Sequence, residues 1–229
     1  MALAGTATTA LAGVLFGLAL AAPPGPMNAI IAEESVLRGW LPGFLAGLGA
    51  MSADFCFFLL SLFGVVAFVG SYPVVRGVMV GVGGLLMLYF AYRAATEASR
   101  TFRGDAPENA AATRGFRKAF VLALTNPYQI VFWLTVGIGM LEPGTVDVLA
   151  TAPYVGGDLA GVLVVRTGSP ALIVGFFAGI LAWVTGFPAT LVAAGRRVDA
   201  LAPAVAYLSA AVLGGFGLLF LSDAAETLL

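Results

Sequence analysis

The sequence predicts an all-α membrane protein: six transmembrane helices built as two inverted three-helix repeats, with broken first and fourth helices. Three observations predict it. The 229-residue chain is 60% hydrophobic and only 10% charged, with a mean hydropathy of +1.00. Its apolar sequence falls into six runs of membrane-spanning length. Two of those runs are interrupted at proline, at matching places in the two halves.

Composition sets the class. Soluble domains carry about a quarter charged residues, so this chain lacks the polar surface to face water and is read as integral to a lipid bilayer. About 20 apolar residues cross a bilayer. By that measure the spans lie near residues 8–32, 41–69, 73–96, 116–141, 171–194 and 202–222, and the second is long enough to tilt. The N-terminal stretch has no basic flank and its apolar part continues past the prolines, which predicts a retained first span instead of a cleaved signal. A polar linker near 100–113 separates repeat one (about 1–99) from repeat two (about 114–229) of a single transmembrane domain. A second connection, 142–169, is mildly acidic, with turn signals at Pro143–Gly144 and Gly156–Gly157 and an apolar part at 159–165. With the N-terminus outside, nine basic residues fall on inside connections (Arg38, Arg93, Arg100, Arg103, Arg114, Arg117, Lys118, Arg196, Arg197) against Arg76 and Arg166 outside. That bias places both termini outside, and the cytoplasmic membrane is the expected location.

Three short matches relate the halves. GPMNAII at 25–31 aligns with NPYQIVF at 126–132, GFLAG at 43–47 with GFFAG at 175–179, and GGLLMLYF at 83–90 with GGFGLLFL at 214–221. The order is kept, and the longer 142–169 connection absorbs the difference in spacing. An odd number of spans per unit inverts the second copy, the architecture of many secondary transporters, whose sites lie near the midplane.

Two constellations carry the candidate chemistry. The first is the pair of breaks. Pro23, Pro24 and Pro26 lack backbone N–H groups and block a continuous helix, and Gly25 between them is permissive. Irregular backbone survives at membrane depth only against protein or a wet cavity. In the alignment Pro26 pairs with Pro127, and Asn28 with Gln129, with Asn126 opening the second break. Each following half-helix begins with unpaired N–H groups and a positive dipole end, which suits a carboxylate. Simple proline kinking is the structural alternative. The substrate-binding candidates are Pro24, Gly25, Pro26, Asn28, Asn126, Pro127 and Gln129.

The second is Asp54, read as the one acid deep in a span. An acid at that depth costs about 3 kcal/mol and points to function. It suits ion coupling by carrying a proton, or holding a substrate ammonium; a protonated Asp bonded to a neighbouring helix is the structural alternative. Glu33 and Glu34 are read as a solvated end of the first span, with gating of a cationic substrate as their other role. Glycines four apart (Gly13/Gly17, Gly43/Gly47, Gly77/Gly81, Gly175/Gly179) predict close helix packing. Tyr89, Tyr92, Trp133 and Trp183 are read as interface anchors or packing, and Arg93 with Glu97 as a surface pair.

At PGPMN (24–28), Arg38–Gly39, GFLAGLGAMSAD (43–54), GGLLMLYFAYRA (83–94) and FRKAFVLALTNPYQIVFW (116–133) the chain resembles the LysE/RhtB superfamily of amino-acid exporters. The resemblance covers most of the chain and implies six spans with duplicated halves. It puts Pro24, Gly25, Pro26, Asn28, Asp54, Asn126 and Pro127 at family motif positions. Tyr128 stands where the family often has Lys, and Ala53 where it often has Gly.

These readings imply an ion-coupled secondary exporter of amino acids or related small zwitterions. The alternative is a divalent or heavy-metal exporter of the same wider fold, for which zero histidines and one cysteine leave mainly oxygen ligands. No nucleotide-binding motif, nucleophile–base pair or dithiol is present, so no enzyme activity, cofactor or resident metal is expected. The net charge of -1, without a basic block, points away from nucleic acid. The expected partners are a small-molecule substrate and lipid, with homo-oligomers left open.

Overall fold

The computed structural model of the protein describes residues 2–64, 71–102, 113–147, 164–195, 197 and 201–228, with side chains left aside at 2–4, 97–102 and 202. In chain order the helices are α1 (Ala2–Ala21), α2 (Pro26–Arg38), α3 (Trp40–Leu62), α4 (Pro73–Phe102), α5 (Thr113–Leu124), α6 (Pro127–Phe132), a π-helical turn (Trp133–Gly137) and α7 (Ile138–Leu141). Strands β1 (Gly144–Asp147) and β2 (Val164–Thr167) follow, then α8 (Pro170–Gly195) and α9 (Leu201–Leu228). Four helices are long and apolar enough to cross a membrane, and six spans result if α1–α2 and α5–α7 each count as one bent span. The chain is therefore a multi-pass helical membrane protein with an inverted-repeat order of elements.

Both proline sites break their helices, for the reason the sequence gives. α1 stops at Ala21 and α2 restarts with Pro26 in its first turn, after an extended Gly25 (φ −175°, ψ −178°). α5 stops at Leu124 and α6 restarts with Pro127 in its first turn, after an extended Asn126 (φ −79°, ψ 113°). Proline fits the first turn of a helix because its missing N–H would be unpaired there anyway. The two breaks thus have one design: an extended residue, then a proline-led half-helix.

The chain forms two compact units, each drawing on both sequence halves. The first holds residues 1–22 and 135–183. In it α1 lies against the first half of α8 through reciprocal glycines. A methyl at Gly13 or Gly17 would run into the carbonyl oxygens of Leu172 and Phe176, and one at Gly175 or Gly179 into those of Ala10 and Val14. The connection whose structure the sequence left open begins and ends as an antiparallel ribbon, with Gly144 opposite Thr167 and Asp147 opposite Val164. The ribbon is tied down where Arg166 N–H donates to Thr9 Oγ1 (3.4 Å) and Gly168 N–H to the Met140 carbonyl (2.8 Å). The turn at Gly156–Gly157 and the apolar stretch before 164 lie outside the described residues, as do 103–112 of the polar linker and the 65–69 end of the second span.

The second unit holds residues 23–134 and 184–229. Here α5 lies against α3, with Gly49 facing the Phe116 carbonyl. In each unit, then, the helix preceding a break (α1 or α5) packs on the second span of the other sequence half (α8 or α3). α4 and α9 run together, with Gly84 and Gly217 each too near the other's carbonyl to admit a methyl (2.9 and 3.0 Å from the added Cβ). Arg76 and Asp223 join the same two helices by an ion pair at 3.1 Å. Ser209 Oγ donates to the Ala29 carbonyl (2.8 Å) and ties α9 to α2 just beyond the first break.

Close glycine packing gives a direct test. Gly179→Ala puts a methyl into the Val14 backbone and should lower the melting temperature of the detergent-purified protein by several degrees, at a cost of about 1–3 kcal/mol. Gly186→Ala, in the same helix with nothing within 4 Å, should be neutral or stabilising by up to about 1 kcal/mol.

Candidate functional site

α3 carries Asp54 near its middle, on the buried face with Ala50, Ala53 and Phe57. The side chain is 5% exposed. Two neutral donors from the second break reach the same oxygen. Gln129 Nε2 and Trp133 Nε1 each donate to Asp54 Oδ1 at 3.0 Å. Gln129 and Trp133 stand four residues apart, so the helical turn after the break aims both at one point. The continuation of α6 into a π-helical turn begins at Trp133 itself, a departure from α geometry frequent at functional sites. Phe58 and Phe132 flank the indole, at ring-centroid distances of 6.3 and 5.6 Å. Gln129 is 7% exposed, and its Oε1 has no hydrogen-bond partner among the described residues.

The sequence candidates divide between this cluster and the breaks. Asp54 and Gln129 come together. Asn126 caps α6, its Oδ1 accepting from the Tyr128 N–H at 3.0 Å. Asn28 reaches back, its Nδ2 donating to the Pro23 carbonyl at 2.8 Å. Pro26 and Pro127 are buried in the first turns of their helices, Gly25 is half-buried and Pro24 exposed. Tyr128 is 59% exposed and sets its ring against Phe216 and Phe220 of α9 (5.9 Å to each).

Three sequence readings are corrected. Trp133 is a fully buried hydrogen-bond donor to the acid, not an interface anchor or mere packing. Glu33 and Glu34 are not a solvated helix end: they are 1% and 3% exposed, because α2 runs on to Arg38 with Ala29 to Ser35 all buried. Asp54 is therefore not the one acid deep in a span. Glu33 Oε2 accepts from Lys118 Nζ at 2.8 Å, and Lys118 also lies 5.1 Å from the centroid of the Phe90 ring. Glu34 Oε2 pairs with Arg38 Nη1 at 2.9 Å, one helical turn on. Gly115 makes room, since a methyl there would sit 3.0 Å from Glu34 Cγ. The signal was present in α5: Gly115, Lys118, Ala119, Leu122 and Ala123 form one buried helical stripe, with Arg114 and Arg117 outside it. Lys118 belongs to the stripe, so its counterion had to come from a facing helix. The expected partner of Arg93, Glu97, lies outside the described side chains; Arg93 Nη1 donates to the Tyr89 hydroxyl at 3.3 Å.

The model of the family described as LysE type translocator matches residues 18–224. The chain belongs to this translocator family. The match takes in both breaks, Asp54 and the buried ion pairs. The chain is 30% identical over 131 residues to a putative amino acid efflux protein, YcgF, of Bacillus subtilis, covering 54% of this chain and 59% of that one. It is 28% identical over 150 residues to a leucine efflux protein of Salmonella typhimurium, covering 65% and 66%. A membrane protein of Pseudomonas aeruginosa, PA4757, is 30% identical over 143 residues, covering 59% and 64%. The matched stretches span about three fifths to two thirds of these curated relatives. No solved structure matches the chain.

The buried pair Lys118–Glu33 sets a stability prediction. Lys118→Met strands Glu33 and should cost about 3–5 kcal/mol. Adding Glu33→Gln should recover most of that loss. The check is denaturation of both variants in the same detergent.

Proposed function

We propose that the protein is a secondary exporter of amino acids or related small zwitterionic metabolites in the cytoplasmic membrane, coupled to an ion gradient. The observation that carries this reading is Asp54: a carboxylate inside a membrane helix, bonded among the described residues to neutral donors beside a helix break. Family membership supports translocation, and the names of the two efflux relatives support amino-acid-like cargo.

In the proposed cycle the substrate's carboxylate takes the first break, where α2 begins at Pro26 with its positive dipole end. Asn28 stands in that first turn. The second break has less to offer an anion, because Asn126 already occupies the Tyr128 N–H and α6 is only six residues long. Its contribution is Gln129, aimed at Asp54. The substrate's ammonium, or a proton in its absence, engages Asp54. Access then alternates by a rearrangement of helices drawn from both repeats, about 1–99 and 114–229, with both termini outside. Among the described residues no group of three His, Cys, Asp or Glu side chains could hold a metal ion, so the site lends the metal-exporter reading no support.

Counterflow of radiolabelled amino acids into liposomes tests the assignment. Asp54→Asn should reduce the rate at least about a hundredfold, since the ammonium and the proton both lose their charge partner. Asn28→Ala should reduce it about tenfold. Wild-type rates in both variants would rule the site out.

A further inference from the structure

Among the described residues, three carboxylates are buried in the second unit, and they are not treated alike. Glu33 has Lys118 and Glu34 has Arg38, each an internal cation within 3 Å. Asp54 has none among the described residues. Its donors are an amide and an indole, both neutral, and both act on Oδ1. No donor among the described residues reaches Oδ2. A buried charge is costly unless it is paired, so the cation that completes this site is expected from outside the protein.

Gln129 says what kind of cation. The ionised acid imposes its amide orientation: with N and O exchanged, Oε1 would face the Asp54 carboxylate oxygen Oδ1 at 3.0 Å, acceptor against acceptor. The amide therefore donates to Asp54 and leaves Oε1 as a second acceptor, buried and without a partner. Asp54 Oδ2 and Gln129 Oε1 are thus the two remaining acceptors of a pair of side chains joined by one hydrogen bond. The Trp133 indole turns its N–H edge to the carboxylate, so its ring face is not what the acid presents to a ligand.

We infer that Asp54 Oδ2 and Gln129 Oε1 form an acceptor pair that receives a primary ammonium group, so the cargo is selected by its N–H donors and not by positive charge alone. An ammonium brings three donors and can serve both oxygens at once. A quaternary ammonium brings the same charge but no N–H, and leaves the buried Gln129 acceptor unsatisfied, which is penalised. A deaminated acid brings neither. This rests on the exporter reading above and names the chemical group that its site requires.

The test uses the full chain in liposomes. Each of the standard amino acids is assayed for counterflow. The best transported is then competed with its own N,N,N-trimethyl betaine and with its deaminated acid. In the wild type both analogues should compete at least about tenfold more weakly than the amino acid. In Gln129→Leu, which has similar bulk and no acceptor, the preference over the betaine should shrink to about twofold or less, because the amino acid loses affinity and the betaine does not. Equal competition by the betaine in the wild type overturns the inference while leaving the exporter reading intact, and so does an undiminished preference in Gln129→Leu. Absence of counterflow with every amino acid overturns the amino-acid exporter reading and the inference with it. Should Gln129→Leu fail to reach the membrane, the wild-type competition decides alone.

Discussion

The bond from Gln129 to Asp54 is the contact on which the candidate site depends, and it exists because a helix was interrupted three residues earlier. α5 stops before Pro127, which has no N–H to continue its ladder, and the chain restarts at Asn126 with a new helical phase. That phase sends Gln129 and Trp133 inward to one carboxylate oxygen and Tyr128 outward to the aromatic rings of α9. A straight helix through 113–141 would present a different set of side chains to α3. The proline thus acts on the chemistry through direction, with no polar side-chain atom of its own.

Charge within the same unit is arranged on two principles. Glu33 and Glu34, adjacent on α2, carry like charges that would repel if left alone, and each is assigned a separate cation from a separate position: Lys118 on α5, Arg38 one turn along α2. Lys118 is further held by the face of the Phe90 ring. These pairs are closed by the protein itself. Asp54 is held, among the described residues, by neutral groups. The contrast lies within one compact unit, between acids that burial alone does not tell apart.

Close backbone packing makes room for this polar interior. Hydrocarbon gives helices no hydrophobic reason to associate, so contact between backbones must supply cohesion. The glycines of α1 and α8, and of α4 and α9, let main chains touch where any side chain would intervene. The same economy of volume appears at Gly115, where the missing methyl is the space that Glu34 fills. The duplicated helix order recurs in these contacts, since α1 meets α8 as α5 meets α3.

Much of the architecture was written in local sequence. Apolar run length gave the spans, because hydrocarbon thickness sets it. Proline gave both breaks, because a missing N–H acts where it stands. Glycine spacing gave the close faces, and the alignment of the halves put Gln129 in correspondence with Asn28. What the sequence could not give was partnership. Glu33 and Glu34 look like a wet helix end when only their neighbours in the chain are read, and the cation that closes Glu33 arrives 85 residues later on α5. Trp133 reads as an anchor until its N–H is seen to meet an acid on another helix. Asn28 and Gln129, equivalent by alignment, make different bonds, one to its own break and one across to α3. The sequence alone determined where the chain must turn and how far it must run, since backbone chemistry and bilayer thickness act residue by residue. Only the tertiary structure decided which charges are closed and which is left open, because a buried charge is settled by what faces it across a helix–helix contact, and no local pattern records that.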